Sequence, residues 1–520
     1  MQKITIFIFI LTLLLSTSVF AQTIGDYRTK ASGNWSPAAI WERYNGSSWT
    51  AIGTPPTGTE TITVQSGDSV FVNVAVSISD TLINQGIVEA NGMLTIADSG
   101  VYEHARNAGG IPISIWAEGS TLLMSALADT APNDRDQDYY NITFNTPGLL
   151  ANLNMNLDSN TVSGDIRVIN TGVSRWYLTT ATANDSSTVT LMGDVIVENG
   201  MFATQGTSNA NTKFTVHHYG NIIVTGGNFS LSRGSQTNGT TTWYLHEGNF
   251  SMSNATTQSS TSPADNAKFV FCKAGTQILT LGDGVTLNRF PIEVASGTTL
   301  DMGSSALAGT GQFILKEGAT LMTALPGGID AILSGLDPAA TVNLSQGASY
   351  GFNGTSAQVT SVLMPDTVTN LTINNAAGVT LSQATTINGV LHLVAGVFDN
   401  TIPFILGPNG SISFEGGSLL IPVSVELVNT TIPETFFVEQ NYPNPFNPAT
   451  RIRFGLPSAS QVTVKIFNIS GQEVAMLFNG HKTAGVYELE FDATNLSSGV
   501  YFYQIQAGSN VQVKRMLLLK

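Results

Sequence analysis

Gly297-Thr-Thr-Leu-Asp-Met302 and, 21 residues further on, Gly318-Ala-Thr-Leu-Met-Thr323 repeat one short pattern. A turn-forming glycine opens each, and apolar and hydroxyl side chains then alternate. Alternation with period two is the pattern of a strand with one face buried and one face wet. The same texture fills the chain from about Glu60 to Leu427, as in GMLTIADSG (92–100), GSTLLMSA (119–126), DVIVENGMFAT (194–204), NIIVTGGNFSLS (221–232) and GVLHLVAGVFD (389–399). Gly227 and Gly248 both precede Asn-Phe-Ser and are also 21 apart, whereas Gly92 and Gly119 are 27 apart, as if one loop had been inserted. A period of roughly 20 to 27 residues, each repeat unable to bury its apolar face alone, is that of a stacked β-solenoid. About 17 coils of roughly 21 residues would fill this segment. A set of β-sandwiches, which also use short strands, is the alternative.

Composition agrees with this class. Glycine is 51 of 520 residues and charged residues are 11%, where an average protein has roughly 25%. No long stretch carries the i, i+3, i+4 apolar stripe of a helix. The net charge is −15. From Glu434 onward there are seven Lys/Arg and six Asp/Glu, so the acidity belongs to the larger part in front. An acidic surface opposes nucleic acid and anionic lipid as partners.

The first residues, MQKITIFIFILTLLLSTSVFAQ, set Lys3 before a twelve-residue apolar run and a small-residue site ending at Ala21. That is the layout of a secretory signal peptide cleaved between Ala21 and Gln22, with no later run long enough to span a membrane. Cys272 is the only cysteine, so no intramolecular disulfide forms. It lies in the apolar run KFVFCKAG with no obvious histidine partner, which reads as an inert thiol. Trp35, Trp41 and Trp49 crowd residues 22–59, a segment placed to cap the first coil, since bare coil ends expose strand edges. A stacking platform for sugar rings is the functional alternative for these tryptophans.

Chemistry is sparse along the repeats. Asp134, Asp136 and Asp138 alternate around Arg135, and carboxylates at i, i+2, i+4 can collect Ca2+. The loop lacks the EF-hand glycine and terminal glutamate, so a solvated loop is the plainer reading and no cofactor is expected. His217 and His218 fall on opposite strand faces and suit a structural role. There is no G-x-S-x-G, H-E-x-x-H, P-loop or dinucleotide fingerprint. Four short stretches, at 68–70, 80–82, 129–131 and 366–368, resemble an O-glycosylation sequence of exported bacterial proteins.

Near Ile421 the repeat stops. Residues 428–440 form a linker and first strand, and Tyr442-Pro-Asn-Pro-Phe-Asn-Pro-Ala-Thr450 follows. Its prolines fix φ and bias the residues before them to extended conformations. The stretch reads as the start of a separable module, held off the part before it. Six alternating runs follow, RIRFGL, QVTVKIFNI, EVAMLF, VYELEFDA, GVYFYQIQA and VQVKRMLLLK. With FFVEQ they make seven strands, the count of a small Ig-like sandwich.

This segment resembles the C-terminal sorting domain of the type IX (Por) secretion system, in the form called type A. The residues that carry the resemblance are Asn441, Tyr442, Pro443, Asn444, Pro445, Phe446, Asn447 and Pro448, then IFNISGQEV with Gly471. They continue through Gly485, Gly499 and Tyr501 to the terminal run from Lys514 to Lys520. The resemblance covers about 85 of 520 residues. It implies export through the periplasm, with the outer-membrane secretion machinery as partner, to the cell surface or the medium. The fold expected is all-β: signal peptide 1–21, cap 22–59, a long parallel β-helix-like solenoid over 60–427, and an Ig-like sandwich over 441–520. Two roles are open for the solenoid. It is a non-catalytic, adhesin-like rod contacting glycans or other cell-surface polymers, or a polysaccharide lyase or hydrolase whose acidic groups converge on adjacent coils.

Overall fold

A computed structural model describes residues 22–179, 186–206, 211–234, 239–258, 267–420, 426–429, 432–493 and 496–520. The expected leader, with Ala21, lies outside them. The described chain is strands and turns, apart from a 3-10 turn at Ala38–Ile40 and one short helix, Gly328–Leu333. It divides into two compact units, one of residues 1–125 with 132–134, the other of 126–131 with 135–520.

The first unit winds three short strands per coil. Ile62–Val64, Ser69–Phe71 and Val76–Ile78 are followed by Thr81–Asn84, Ile87–Glu89 and Leu94–Ile96. Each strand lies parallel to its counterpart one coil away, with Ile62 opposite Leu82, Leu82 opposite Tyr102, and Tyr102 opposite Leu122. The coils here are thus of constant length, and all four of these side chains are buried. The strand Tyr27–Thr29 pairs in parallel with Ile62–Val64 and antiparallel with Trp41–Tyr44, covering the edge of the first coil. Trp35 and Trp41 are 1% and 0% exposed and meet edge to face at 5.0 Å. Their faces are spent on packing, which leaves only Trp49 near the surface, beneath the Arg28 guanidinium. A sugar platform built from all three rings is thereby ruled out.

In the second unit the coils lengthen. Ile142, Ile166, Val195, Ile222, Phe250 and Leu279 stand in one register. The coils shorten again through Leu300, Leu321, Tyr350, Leu371, Leu391 and Ile412, with one longer step between Leu321 and Tyr350. The wide coils gain residues in long strands such as Ile166–Thr179 and Val195–Gln205. The solenoid has about 14 turns over residues 62–419, fewer than a uniform 21-residue period requires.

Register also corrects two of the sequence equivalences. Gly227 and Gly248 are not counterparts: Gly227 sits opposite Ala255, while Phe250, just after Gly248, sits opposite Ile222. Gly92 and Gly119 are not counterparts either, because Gly92 bonds to Ile113 and Gly119 stacks over Asp98 and Ser99. The pair Gly297 and Gly318 does stack, the amide of the first donating to the carbonyl of the second at 3.0 Å.

The wide coils carry a different repeat. Gly164-Asp165, Gly193-Asp194, Gly220-Asn221 and Gly248-Asn249 stack at one corner. Each Asx oxygen accepts the backbone N–H one coil on, from Asn141 to the Asp165 amide (2.8 Å), Asp165 to Asp194 (2.8 Å), Asp194 to Asn221 (2.6 Å), Asn221 to Asn249 (2.9 Å) and Asn249 to Ile278 (2.8 Å). The sequence separations across these five bonds are 24, 29, 27, 28 and 29, the lengths of the wide coils. A Cβ on Gly193, Gly220 or Gly248 would run into the glycine backbone of the neighbouring coil, which explains the residue type. Inside, Phe144, Trp176, Phe202 and Phe229 stack along the axis, all 0% exposed. Burying each such ring contributes about 1.5–3 kcal/mol.

The second unit ends in eight antiparallel strands: β1 (Glu426–Asn429), β2 (Phe437–Val438), β3 (Ala449–Leu456), β4 (Ser460–Asn468), β5 (Glu473–Lys482), β6 (Gly485–Asp492), β7 (Gly499–Ala507) and β8 (Asn510–Leu518). They form two four-stranded sheets, ordered β1-β6-β3-β2 and β5-β4-β7-β8. Ile452, Phe454 and Leu489 of one sheet share a core with Val464, Tyr503, Ile505 and Met516 of the other. All seven runs expected from the sequence are strands, and β1 is an eighth.

Candidate functional site

The proline-rich stretch is folded into this sandwich. Asn441 is 2% exposed; its side-chain amide donates to the Pro443 carbonyl (3.1 Å) and the Thr450 hydroxyl (2.9 Å). The Thr450 hydroxyl also donates to Pro443 (2.8 Å). The Tyr503 hydroxyl of β7 donates to the Glu439 carbonyl (2.7 Å) and accepts from the Asn441 amide (2.9 Å). Burial pushes that phenol up to about 12, so it is a donor at any physiological pH. Further along, the Asn444 side chain accepts from the Leu517 amide of β8 (2.9 Å). Phe446, 2% exposed, enters the core, and its backbone bonds to Leu517 and Leu519. The three X–Pro bonds at Pro443, Pro445 and Pro448 are cis. Tyr442 is left 81% exposed.

The other motif residues hold the strands' ends. Gly471, at φ +80°, closes the turn between β4 and β5, a conformation that glycine adopts without strain. Gly485 opens β6 opposite Leu456, and Gly499 opens β7 opposite Leu518. The Tyr501 hydroxyl donates to the Ser497 carbonyl (2.9 Å). Lys514 lies opposite Tyr503, and the Lys520 amide donates to the Ser498 hydroxyl (2.9 Å). One end of the module is thus sewn to the other, with Asn444 and Phe446 clasping the final strand.

The solenoid candidates sort differently. Asp134 belongs to the first unit and Asp136 and Asp138 to the second. The Asp138 carboxylate accepts from the Thr161 amide (2.8 Å) and the Asn160 side chain (3.3 Å). Among the described residues, no three His, Cys, Asp or Glu side chains are placed to hold a metal ion. His218 is fully buried while His217 is half-exposed, as their alternation requires. Burial lowers His218 to about 4, so it is neutral, with Nε2 2.8 Å from the Gly193 carbonyl. His217 lies 2.9 Å from His246, a residue 29 positions on. Cys272 does have a histidine neighbour, contrary to the sequence expectation: its Sγ is 3.5 Å from Nδ1 of His246 and 3.3 Å from the Leu245 carbonyl. Burial, and secondarily Glu247, push that thiol up to about 11. A thiol so raised stays protonated at neutral pH and is a poor nucleophile. These contacts were hidden in the sequence because coil stacking joins positions far apart in the chain, 26 for Cys272 and His246 and 29 for the two histidines.

No helix among the described residues is long and apolar enough to cross a membrane, which says nothing of strands. No curated protein and no solved structure matches the chain. Residues 440–519 match the family model described as the secretion system C-terminal sorting domain, the span that Asn441, Tyr503 and Phe446 bind into one folded unit. This segment is a type IX C-terminal sorting domain, and it directs a β-solenoid passenger to the cell surface or the extracellular space.

Proposed function

We propose that the passenger is a non-catalytic, adhesin-like surface rod whose outward faces contact glycans or other cell-surface polymers. The mature chain begins at Gln22, residues 22–59 cap the solenoid, and the Ig-like sandwich of 441–520 engages the outer-membrane export machinery. The observation that supports the passenger's role is the chemistry of its outward ladders. Thr188, Thr215 and Thr242 stand in register on successive coils, as do Thr299 and Thr320. Hydroxyl rows at coil spacing offer repeated weak hydrogen bonds to a polymer, whereas polysaccharide cleavage calls for paired acids on one face.

Two measurements test this. The chain with and without residues 434–520 is expressed in its host, and surface and medium are assayed by mass spectrometry. Only the full chain is expected outside; equal export of both forms would sink the sorting role. The purified mature protein is then incubated with a polysaccharide panel. Retention on polymer without release of new reducing ends is expected, and release of unsaturated or reducing ends would make it an enzyme.

A further inference from the structure

We propose that the outward face around Arg175 and Arg233 binds the carboxylate or sulfate groups of an acidic glycan. This rests on the glycan-contact reading above and names the class of glycan. Arg175, on the long strand Ile166–Thr179, is only 7% exposed. Asn152, Met201 and Asn228 occupy its outward position on neighbouring coils. Its guanidinium meets neutral groups: one Nη donates to the Asn228 side-chain oxygen (2.8 Å) and lies 3.6 Å from the Met201 sulfur, and the Tyr177 hydroxyl is its further partner. Its Nε is buried and bonds to nothing. Arg233 is close enough to repel it electrostatically, and the Arg233 Nε is likewise buried without an acceptor.

Neither arginine has a carboxylate partner among the described residues. Arg175 is set apart by lacking one while buried, in a chain of 36 acidic and 21 basic residues. Several other cations of the chain do find acids, as Arg28 does with Glu42 (3.1 Å), Lys273 with Glu247 (3.5 Å), and Lys268 and Lys316 with Glu293 (3.6 and 3.4 Å). A buried guanidinium without a counter-charge is costly, and a second one beside it adds to the cost. Desolvation first, with Arg233 adding to it, lowers the Arg175 pKa, the direction expected where an anion is wanted. The unfilled donors are Nε groups, one edge of the guanidinium fork that takes a planar oxyanion in two parallel bonds. Asn228 and the Tyr177 hydroxyl border the guanidinium with neutral polar groups of the kind that sugar hydroxyls engage. A neutral glycan could offer these donors only hydroxyl and ring oxygens without a counter-charge; a uronate or sulfated unit supplies both acceptor and charge.

The test uses the full mature chain, with oligogalacturonate, a neutral oligosaccharide of the same length and inorganic sulfate as probes. Binding is followed by tryptophan fluorescence, to which Trp176 beside Arg175 in the chain contributes, and by calorimetry. Expected are salt-sensitive binding of oligogalacturonate, at least tenfold weaker binding of sulfate and of the neutral oligomer, and a tenfold or greater loss in both Arg233→Gln and Arg175→Gln. Arg233 is the less buried of the two, so Arg233→Gln guards against a folding artefact. The proposal is overturned by no binding, by binding that both variants retain, or by sulfate binding as tightly as the oligomer. If the neutral oligomer binds and both variants retain it, the glycan-contact reading survives and this site does not.

Discussion

Removing one oxygen atom from the sandwich should loosen the entire proline-rich stretch. Tyr503→Phe keeps the ring, which is 0% exposed, and so opens no cavity. It takes away the hydroxyl that bonds both the Glu439 carbonyl and the Asn441 amide. Asn441 is buried, and leaving its backbone amide without a partner costs about 1–3 kcal/mol, while Glu439 is an exposed residue whose carbonyl can turn to water. If the stretch opens locally before the sandwich unfolds, that energy lowers its protection by about 5- to 150-fold. Hydrogen–deuterium exchange of the full mature chain reads this directly. The amides to follow are Phe446, Arg451 and Leu519, whose own partners (Leu517, Tyr442 and Phe446) are untouched by the substitution. Peptides from the solenoid strand Phe313–Leu315 serve as the internal control. A change of less than threefold at these amides would refute the argument that the hydroxyl pins the stretch to β7.

Two further outcomes follow from the solenoid. Gly220→Ala drives a Cβ into the Gly193 carbonyl and should cost about 1–3 kcal/mol, read as a lower urea midpoint by tryptophan fluorescence; an unchanged midpoint would mean that the stacked corner yields freely. His218 is held at about 4 in the folded chain, below its ordinary 6.5, so the unfolded chain takes up the proton first as pH falls. Its contribution is intact above about pH 6.5 and is lost on descent towards about 4, about 2 kcal/mol of it by about pH 5. His218→Leu, with Leu191 and Leu245 as its register neighbours, should flatten that part of the pH dependence; an equally steep fall in the variant would clear His218 of the effect.

The sequence by itself determined the strand class, the turns and the sorting tail. Each is a local property: alternation along a few consecutive residues selects a strand, Gly471 selects a turn, and the ordered motif from Asn441 to Lys520 is contiguous. Tertiary structure decided which residues meet. The match of GNFSLS with GNFSMS misled because the coils near them are longer than the spacing of those two glycines, so the glycines that stack are Gly220 and Gly248. The Gly-Asp and Gly-Asn dipeptides at 164, 193, 220 and 248 were legible as a repeat, and they mark the true period. The Cys272–His246–His217 contacts and the unpaired arginines were not legible, since each joins residues that only the stack brings together. The same holds for the proline stretch, whose stiffness is local but whose place in the core depends on Tyr503, far along the chain on β7. Strand character is set by neighbours in the chain, whereas register is set by closing each coil over its apolar interior, and that closure is a property of the stacked molecule.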